Sequence, residues 1–233
     1  MKINDPTAVA RQYASESNLE ARRSLYEDAT GPDPREIAFA AVREVEPGRV
    51  LEVGGGPGEL AARISDELAC DVVLLDIAPR MVELARARGV DARVGDVQRL
   101  PFADESFDCA VAAWMLFHVP DVERGLAELA RVLRPGGRLV AVTNAEHHLA
   151  ELRALAGPDA WERVFTRENG EEVIKHHFRH VERRDADGWI TIHEHEVVRR
   201  FIASLDGDGE RELPPYELPL RSRRASSIFV ATR

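Results

Sequence analysis

One run constrains this chain more than any other: Val50-Leu51-Glu52-Val53-Gly54-Gly55-Gly56-Pro57-Gly58-Glu59-Leu60. An apolar segment that enters a glycine-rich turn and leaves it as a helix is the opening of a strand–loop–helix unit. Glycine has no Cβ, so the backbone of such a turn takes conformations closed to other residues and comes close to a ligand. In an open α/β sheet, ligands bind beyond the carboxyl ends of the strands, near the point where the strand order reverses. The run therefore predicts both a fold class and the place of a site.

The rest of the chain repeats the theme. Strands are expected at 49–54, 72–77, 92–97, 107–114 and 138–143, short, valine-rich and apolar on both faces, as in a parallel sheet covered by helices. Helices are expected between them at 58–69 and 79–88, the second with proline at its first position. A third runs from its cap Asp121 to residue 133, ended by Pro135-Gly136-Gly137. Alternation of this kind implies right-handed crossovers and a doubly wound sheet. Upstream, helices are expected at 7–30 and 34–46, broken by Gly31-Pro32-Asp33-Pro34. Downstream, helices are expected at 146–156, 167–177 and 194–205. Strands are expected at 179–185 and 189–193, with a turn at Asp187-Gly188, and a closing strand at 227–231 gives an antiparallel C-terminal edge. No linker divides the chain, so one α/β domain is expected over 1–233. Within it, 1–46 forms a helical cap, 47–144 the cofactor-binding core, and 145–233 an acceptor-side lid with the closing strands.

Several ligands use a glycine loop at this position. A phosphate-binding Walker loop needs Lys-Ser/Thr after its last glycine, where Glu59-Leu60 stands. A dinucleotide fingerprint starting at Gly54 needs glycine at 59. A carboxylate at a helix N-terminus also competes with phosphate for the same partial charge. The spacing Glu52-x-Gly54-x-Gly56-x-Gly58 thus favours a nucleoside without phosphates, such as S-adenosylmethionine (SAM). A tight strand-to-helix turn is a real competitor as an explanation of the loop alone. The acids that follow are harder to attribute to chance. Asp76 ends the second strand, where a carboxylate can accept both ribose hydroxyls; it is also suited to cap the helix at Pro79. Asp96-Val97 ends the third, where a side-chain carboxylate and a backbone N–H can read an adenine edge.

In order along the chain, LEVGGGPGEL, LLDIAPRMVELAR, GDVQRLPFADESFDCAV, MLFHVPD and LARVLRPGGRLV resemble the class I SAM-dependent methyltransferases of small molecules. The match covers residues 50–144, and the flanks YASESNLEARRSLY, TNAEHHLAEL and FTRENGEE resemble bacterial members. The resemblance implies a Rossmann-like fold, SAM as cofactor and S-adenosylhomocysteine as product. It implies that Gly54, Gly56 and Gly58 line the methionine end, Asp76 holds the ribose, and Asp96 and Val97 hold the adenine. It further implies that Trp114 borders cofactor and acceptor and that Glu52 orients the loop or the amino end of the methionine tail. Gly55, Ile77 and Met81 belong to the same cofactor set.

Methyl transfer from a sulfonium is an in-line displacement, which an enzyme assists by alignment and by excluding water. A base is required only when the acceptor must lose a proton. His118, just after the fourth strand, is a candidate for that role or a structural holder of its loop. His147 and His148 follow the fifth strand; one of them, with Asn144 and Met115, is a candidate for contact with the acceptor. Tyr13 either closes over the cofactor or anchors its helix. The aromatics Trp161, Phe165, Phe178, Trp189 and Phe201 fall in the lid, most as core and one or two as the wall of an apolar acceptor pocket. The clusters His176-His177-x-x-His180 and His193-x-His195 lack a carboxylate–histidine pattern, and adjacent helical histidines point apart, so they read as surface rather than metal ligands.

Composition bounds the rest. A net charge of −10 disfavours nucleic acid, which needs a basic footprint, and the short runs Arg183-Arg184, Arg199-Arg200 and Arg221-Ser222-Arg223-Arg224 read as solvated surface. MKINDPTAVARQ has no apolar core and no run is long enough to cross a bilayer, so a cytoplasmic protein is expected, as monomer or homodimer. Cys70 and Cys109 read as small buried hydrophobes. The leading expectation is methylation of O, N or C of a small molecule, in secondary metabolism. The alternatives are an RNA or protein methyltransferase, and a SAM-binding cyclase or regulatory module that transfers no methyl. A nicotinamide oxidoreductase fails at Glu59 and at Asp96-Val97.

Overall fold

In the computed structural model, which describes residues 9, 13, 17–157, 164–206 and 212–233, the chain is organised on one seven-stranded sheet. The strands are β1 (Arg49–Val53), β2 (Asp71–Asp76), β3 (Asp91–Val94), β4 (Phe107–Ala113), β5 (Leu133–Asn144), β6 (Arg179–Ile192) and β7 (Leu220–Thr232), in the order β3-β2-β1-β4-β5-β7-β6. Strands β1 to β5 are parallel, and β7 is antiparallel to both β5 and β6. The expected antiparallel closing strand is therefore present. It slots between β5 and β6, leaving β6 at the edge.

Residues alternate across the sheet, and both faces are apolar. In β1, Leu51 and Val53 pack on one face with Leu126 and Leu129 of α5 (Val122–Val132), while Val50 packs on the other. That second face holds Phe39 of α2 (Pro34–Arg43), Ile64 of α3 (Glu59–Leu68) and Val82 of α4 (Pro79–Ala87). Each such buried side chain stabilises the fold by roughly 1.5–3 kcal/mol, so the scaffold does not depend on the loops at the strand ends. A third cluster joins Leu25, just past α1 (Ser17–Ser24), to Leu152 of α6 (Ala150–Arg153), Ile190 and Ile192 of β6, and Phe201 and Leu205 of α8 (His195–Asp206). It forms a lid over the carboxyl ends of the strands. The strand order reverses between β1 and β4, which opens the switch-point crevice under that lid.

Local signals explain the core elements. Asp121 caps α5 by accepting the Arg124 N–H at 3.0 Å, and Pro79 opens α4. The differences lie outside the core. No turn occurs at Asp187-Gly188: β6 runs unbroken, and these residues pair with Ala225 and Arg224 of β7. Gly188 serves a different need, since a Cβ there would lie 1.8 Å from the backbone oxygen of Thr30. The helix expected at 146–156 begins only at Ala150, because Ala145 and Leu149 donate their N–H groups to Ala225 and Arg223 of β7 and Leu149 has φ 56°. The helix expected from 167 begins at Gly170 as α7 (Gly170–Lys175), since Arg167 is drawn to Ser226, Ser227 and Asp187. Of the helix expected at 7–30, residues 17–24 are helical and turns follow; most of 7–16 lies outside the described residues, as does Trp161. Cys109 is buried and Cys70 partly so. Among the described residues, no helix is long and apolar enough to cross a membrane.

Candidate cofactor and acceptor site

A cavity of about 720 Å³ opens over the carboxyl ends of β1, β2, β4 and β5, in the range of small-molecule sites. Its floor is the glycine loop. The Gly54 N–H donates to Leu75 O at 2.6 Å, and the loop closes on itself through Gly58 N–H to Gly55 O at 3.1 Å. Gly54 has φ 62°, and a Cβ there would stand 2.6 Å from Met115 Cβ; at Gly58, with φ 78°, it would stand 2.8 Å from Ala85 Cβ. No other residue fits either place. Glu59, at the first turn of α3, is held by Arg23 at 2.6 Å and approached by Arg88 at 3.5 Å, so a carboxylate ion pair occupies the position where a phosphate would sit.

Three acids surround that floor at the ends of successive strands. Asp76 is 7% exposed; its Oδ2 accepts the Gly56 N–H at 2.9 Å and its Oδ1 the Ala78 N–H at 2.8 Å. It therefore organises the loop and caps α4 at once. Burial pushes its carboxyl above the usual range, and the N–H groups of Ala78, Gly56 and Ile77 pull part of the way back. Asp96 follows β3 and accepts the Gln98 N–H at 2.9 Å, while the Gln98 amide bridges both its oxygens at 3.1 and 2.9 Å. Glu52 is 2% exposed, and its Oε2 has no hydrogen-bond partner. Burial pushes it up to about 8, the Ala61 N–H opposes this, and the Asp76 charge adds to it. A buried carboxyl with an orphaned oxygen is protonated at neutral pH and costs stability. Ile77 is 39% exposed on the wall and Met81 is buried beneath it, while Val97 lines the wall beside Asp96. Apolar surface of this kind is what a purine ring covers.

The opposite half is built by β4, β5, β7 and the lid. Trp114 has φ 54°, a strained conformation for a bulky residue, and its Nε1–H donates to Asn144 Oδ1 at 3.2 Å. Asn144 Oδ1 also accepts the Ser226 hydroxyl at 2.8 Å. His118 Nε2 lies 3.2 Å from the Tyr13 hydroxyl, which in turn accepts from Arg22 Nη1 at 3.3 Å. His148 is 3% exposed; its Nδ1 accepts the Ala225 N–H at 3.0 Å, and its Nε2 is 3.1 Å from the Tyr26 hydroxyl. Two histidines at strand ends are thus each tied to a tyrosine of the N-terminal cap. Phe201, Leu205, Arg22 and Arg224 complete this half.

All of the expected cofactor residues except Gly58 line the cavity; Gly58 sits behind its wall, where its own N–H closes the loop. Met115, Asn144, His118, His148 and Tyr13 line it as well. His147 does not: it is exposed and lies outside the lining, because the chain turns there and sends only His148 inward. Arg224 corrects the surface reading of Arg221-Ser222-Arg223-Arg224: strand alternation puts 221 and 223 outside and 222 and 224 inside. His176 and His177 do not point apart. They follow the end of α7, and both reach Glu123, at 2.9 and 2.7 Å. Phe165 and Phe178 are core, and Trp189 stacks under Arg221 and Arg223 on the outer sheet surface. Tyr26, Arg22 and Ser226 went unnoticed in the sequence. None carries a local motif, and only the sheet order and the docking of α1 bring them to the strand ends.

Residues 51–141 match the family described as "Methyltransferase domain". The demethylmenaquinone methyltransferase of Deinococcus radiodurans is 37% identical over 113 residues, 46% of this chain and 47% of that protein. The chain thus spans about half the length of the curated relatives it matches. Phosphoethanolamine N-methyltransferase 2 of Haemonchus contortus, solved with phosphomonomethylethanolamine and S-adenosylhomocysteine, superposes with a TM-score of 0.66 at 15% identity, over 100% of this chain and 60% of that one. The [4+2]-cyclase SpnF superposes at 0.63 and 19% identity, over 97% and 94%. At such identities the likeness concerns the fold. Residues 51–141 thus match a methyltransferase domain, and they lie in a sheet of Rossmann-like fold.

Proposed function

We propose that this chain is an enzyme that transfers the methyl group of SAM to a small molecule bound under the lid. We read it as one domain, with 1–46 and 145–233 closing over the core at 47–144, working in the cytoplasm as monomer or homodimer. One observation carries the reading: Glu52, Asp76 and Asp96 converge at three adjacent strand ends around a glycine loop that already holds an ion pair at the phosphate position. The residues fit an adenosyl amino acid. Asp76 accepts the ribose hydroxyls, Asp96 and the Val97 N–H take the adenine edge over Ile77, and the orphaned Oε2 of Glu52 suits the cationic tail.

When bound, SAM supplies an electrophilic methyl on a positively charged sulfur. The chain's own residues orient and dehydrate the acceptor. Trp114, held by Asn144, walls the boundary between the two halves of the cavity; Tyr13, Tyr26 and the apolar lid exclude water. His118 and Tyr13 supply a proton relay for an O–H acceptor, and Arg22 orients the Tyr13 hydroxyl. His148 is fixed by Ala225 at Nδ1 and by Tyr26 at Nε2; it positions the lid rather than deprotonates.

Calorimetry with SAM and S-adenosylhomocysteine, with NAD and ATP as controls, tests the cofactor half. Selective micromolar binding supports the reading, and preference for NAD or ATP overturns it. A screen of radiolabelled methyl transfer to phenols, amines and carboxylic acids then separates an enzyme from a SAM-binding cyclase or sensor.

A further inference from the structure

Charge in the cavity is divided. Its acids without a cation partner, Glu52, Asp76 and Asp96, sit at the ends of β1, β2 and just after β3, on the cofactor side. Three of its cations are already matched: Arg23 with Glu59, Arg35 with Asp33, and Arg63 with Glu36. Arg22 on α1 and Arg224 on β7 are not. Among the described residues neither has a carboxylate oxygen within 4.0 Å, and each has a buried Nε with no partner. Arg224 is 4% exposed, and its Nη2 donates only to the backbone oxygens of Thr30 and Pro32, at 2.9 and 2.7 Å. Arg22 donates to the Tyr13 hydroxyl and to Ser204 O of α8, at 3.3 and 3.0 Å. Asp33 is the carboxylate that feels Arg224 electrostatically, and the Arg35 fork already takes both of its oxygens.

A buried guanidinium nitrogen without a partner is costly, and two guanidiniums without an anion, Arg224 buried and Arg22 partly so, call for a ligand that supplies the charge where both line one cavity. A chain of net charge −10 has carboxylates to spare for internal pairing, and among the described residues it directs none to these two. The remaining wall is apolar and aromatic: Tyr26, Phe117, Phe201 and Leu205.

From this we infer that the methyl acceptor is an acid, a carboxylate on an aromatic or apolar body, and that Arg22 and Arg224 bind its carboxylate while the apolar wall holds the body. The inference rests on the methyltransferase reading and names its substrate class. The matched cations Arg23, Arg35 and Arg63 leave the cofactor's own carboxylate as the rival source of the charge.

The test uses 2-naphthoate and its neutral isostere 2-naphthamide, titrated calorimetrically into the protein with and without saturating S-adenosylhomocysteine. Wild type, Arg224→Met and Arg22→Met are compared. A charge-assisted contact gives the acid a preference of about 10-fold or more in wild type, which falls below about 2-fold in both variants. S-adenosylhomocysteine affinity stays within about 2-fold in the variants, since the arginines serve the acceptor. Arg22→Met carries the test if Arg224→Met fails to fold. Equal binding of acid and amide by wild type, or no binding of the acid, overturns the inference. So does a preference that survives both substitutions. A loss of S-adenosylhomocysteine affinity of about 10-fold or more in the variants also overturns it and assigns the arginines to the cofactor's carboxylate. Failure of wild type to bind S-adenosylhomocysteine sinks the methyltransferase reading instead, while the acid–amide comparison without cofactor still decides whether the arginines form an acid site.

Discussion

Replacing Asp76 by alanine separates two jobs that the structure gives to one carboxylate. Its oxygens accept the Gly56 and Ala78 N–H groups at 2.9 and 2.8 Å, and it faces the cavity where the ribose is proposed to lie. An orphaned buried N–H costs about 1–3 kcal/mol, so two set a ceiling of about 6 kcal/mol. Gly56 borders the cavity, and water takes over its bond there, which brings the expected loss to about 1–3 kcal/mol. For a chain of this size that lowers the melting temperature by about 2–12 °C. The binding effect is larger. Each hydrogen bond from a hydroxyl to the charged carboxylate is worth about 1.5–3 kcal/mol, so losing the pair weakens S-adenosylhomocysteine by about 100-fold or more. Asp76→Asn keeps the volume and one acceptor oxygen, and is expected to lose about 10-fold. Calorimetric titration alongside thermal melts reads both quantities on the same samples. If Asp76→Ala lowers the melting temperature but leaves affinity within about 3-fold, Asp76 is a helix cap and loop anchor only, and the ribose assignment is wrong.

Glu52 makes stability depend on pH. Its carboxyl rises from 4.5 to about 8 in the folded chain, so the native state holds a proton that the unfolded state has lost between those values. Stability is therefore full at acid pH and declines as pH rises through that window, by up to about 5 kcal/mol, and Glu52→Gln should abolish the decline in denaturant titrations from pH 5 to 9. A cationic ligand tail should ionise Glu52, so binding at pH 7 releases protons, visible as a dependence of calorimetric heat on buffer ionisation enthalpy; no such dependence removes Glu52 from the tail. Tyr13→Phe and His118→Ala should lower turnover of an O–H acceptor about 10²–10⁴-fold with unchanged S-adenosylhomocysteine affinity. Equal losses in binding would make them anchors of the cap. Gly188→Ala drives a Cβ into the backbone oxygen of Thr30, 1.8 Å away, and should destabilise the fold by about 1–3 kcal/mol or more in thermal melts; a neutral effect would show that residues 30–31 are not packed on β6.

The sheet was legible in the sequence because its signals are local. Valine-rich strands apolar on both faces, Pro79 and Asp121 at helix starts, and glycines where φ is positive each act within a few residues. The position of the three strand-end acids was legible for the same reason, since a carboxylate at the end of a strand is fixed in space once the strand is. The lid was not. The Asp187-Gly188 pair carries the signature of a turn, and the long pairing with β7 overrides it; Gly188 is there to let Thr30 approach. His147 and His148 look equivalent in sequence, and backbone bonds from residues 145 and 149 to β7 decide which one turns inward. Arg224 sits in a basic run that reads as surface, and strand alternation buries it. The sequence by itself determined the parallel core, the glycine loop and the three acids, because propensity and periodicity specify each element alone. Only the tertiary structure decided which tyrosines meet which histidines and which arginines lack a carboxylate partner, because those relations join residues more than a hundred positions apart through the order of the strands.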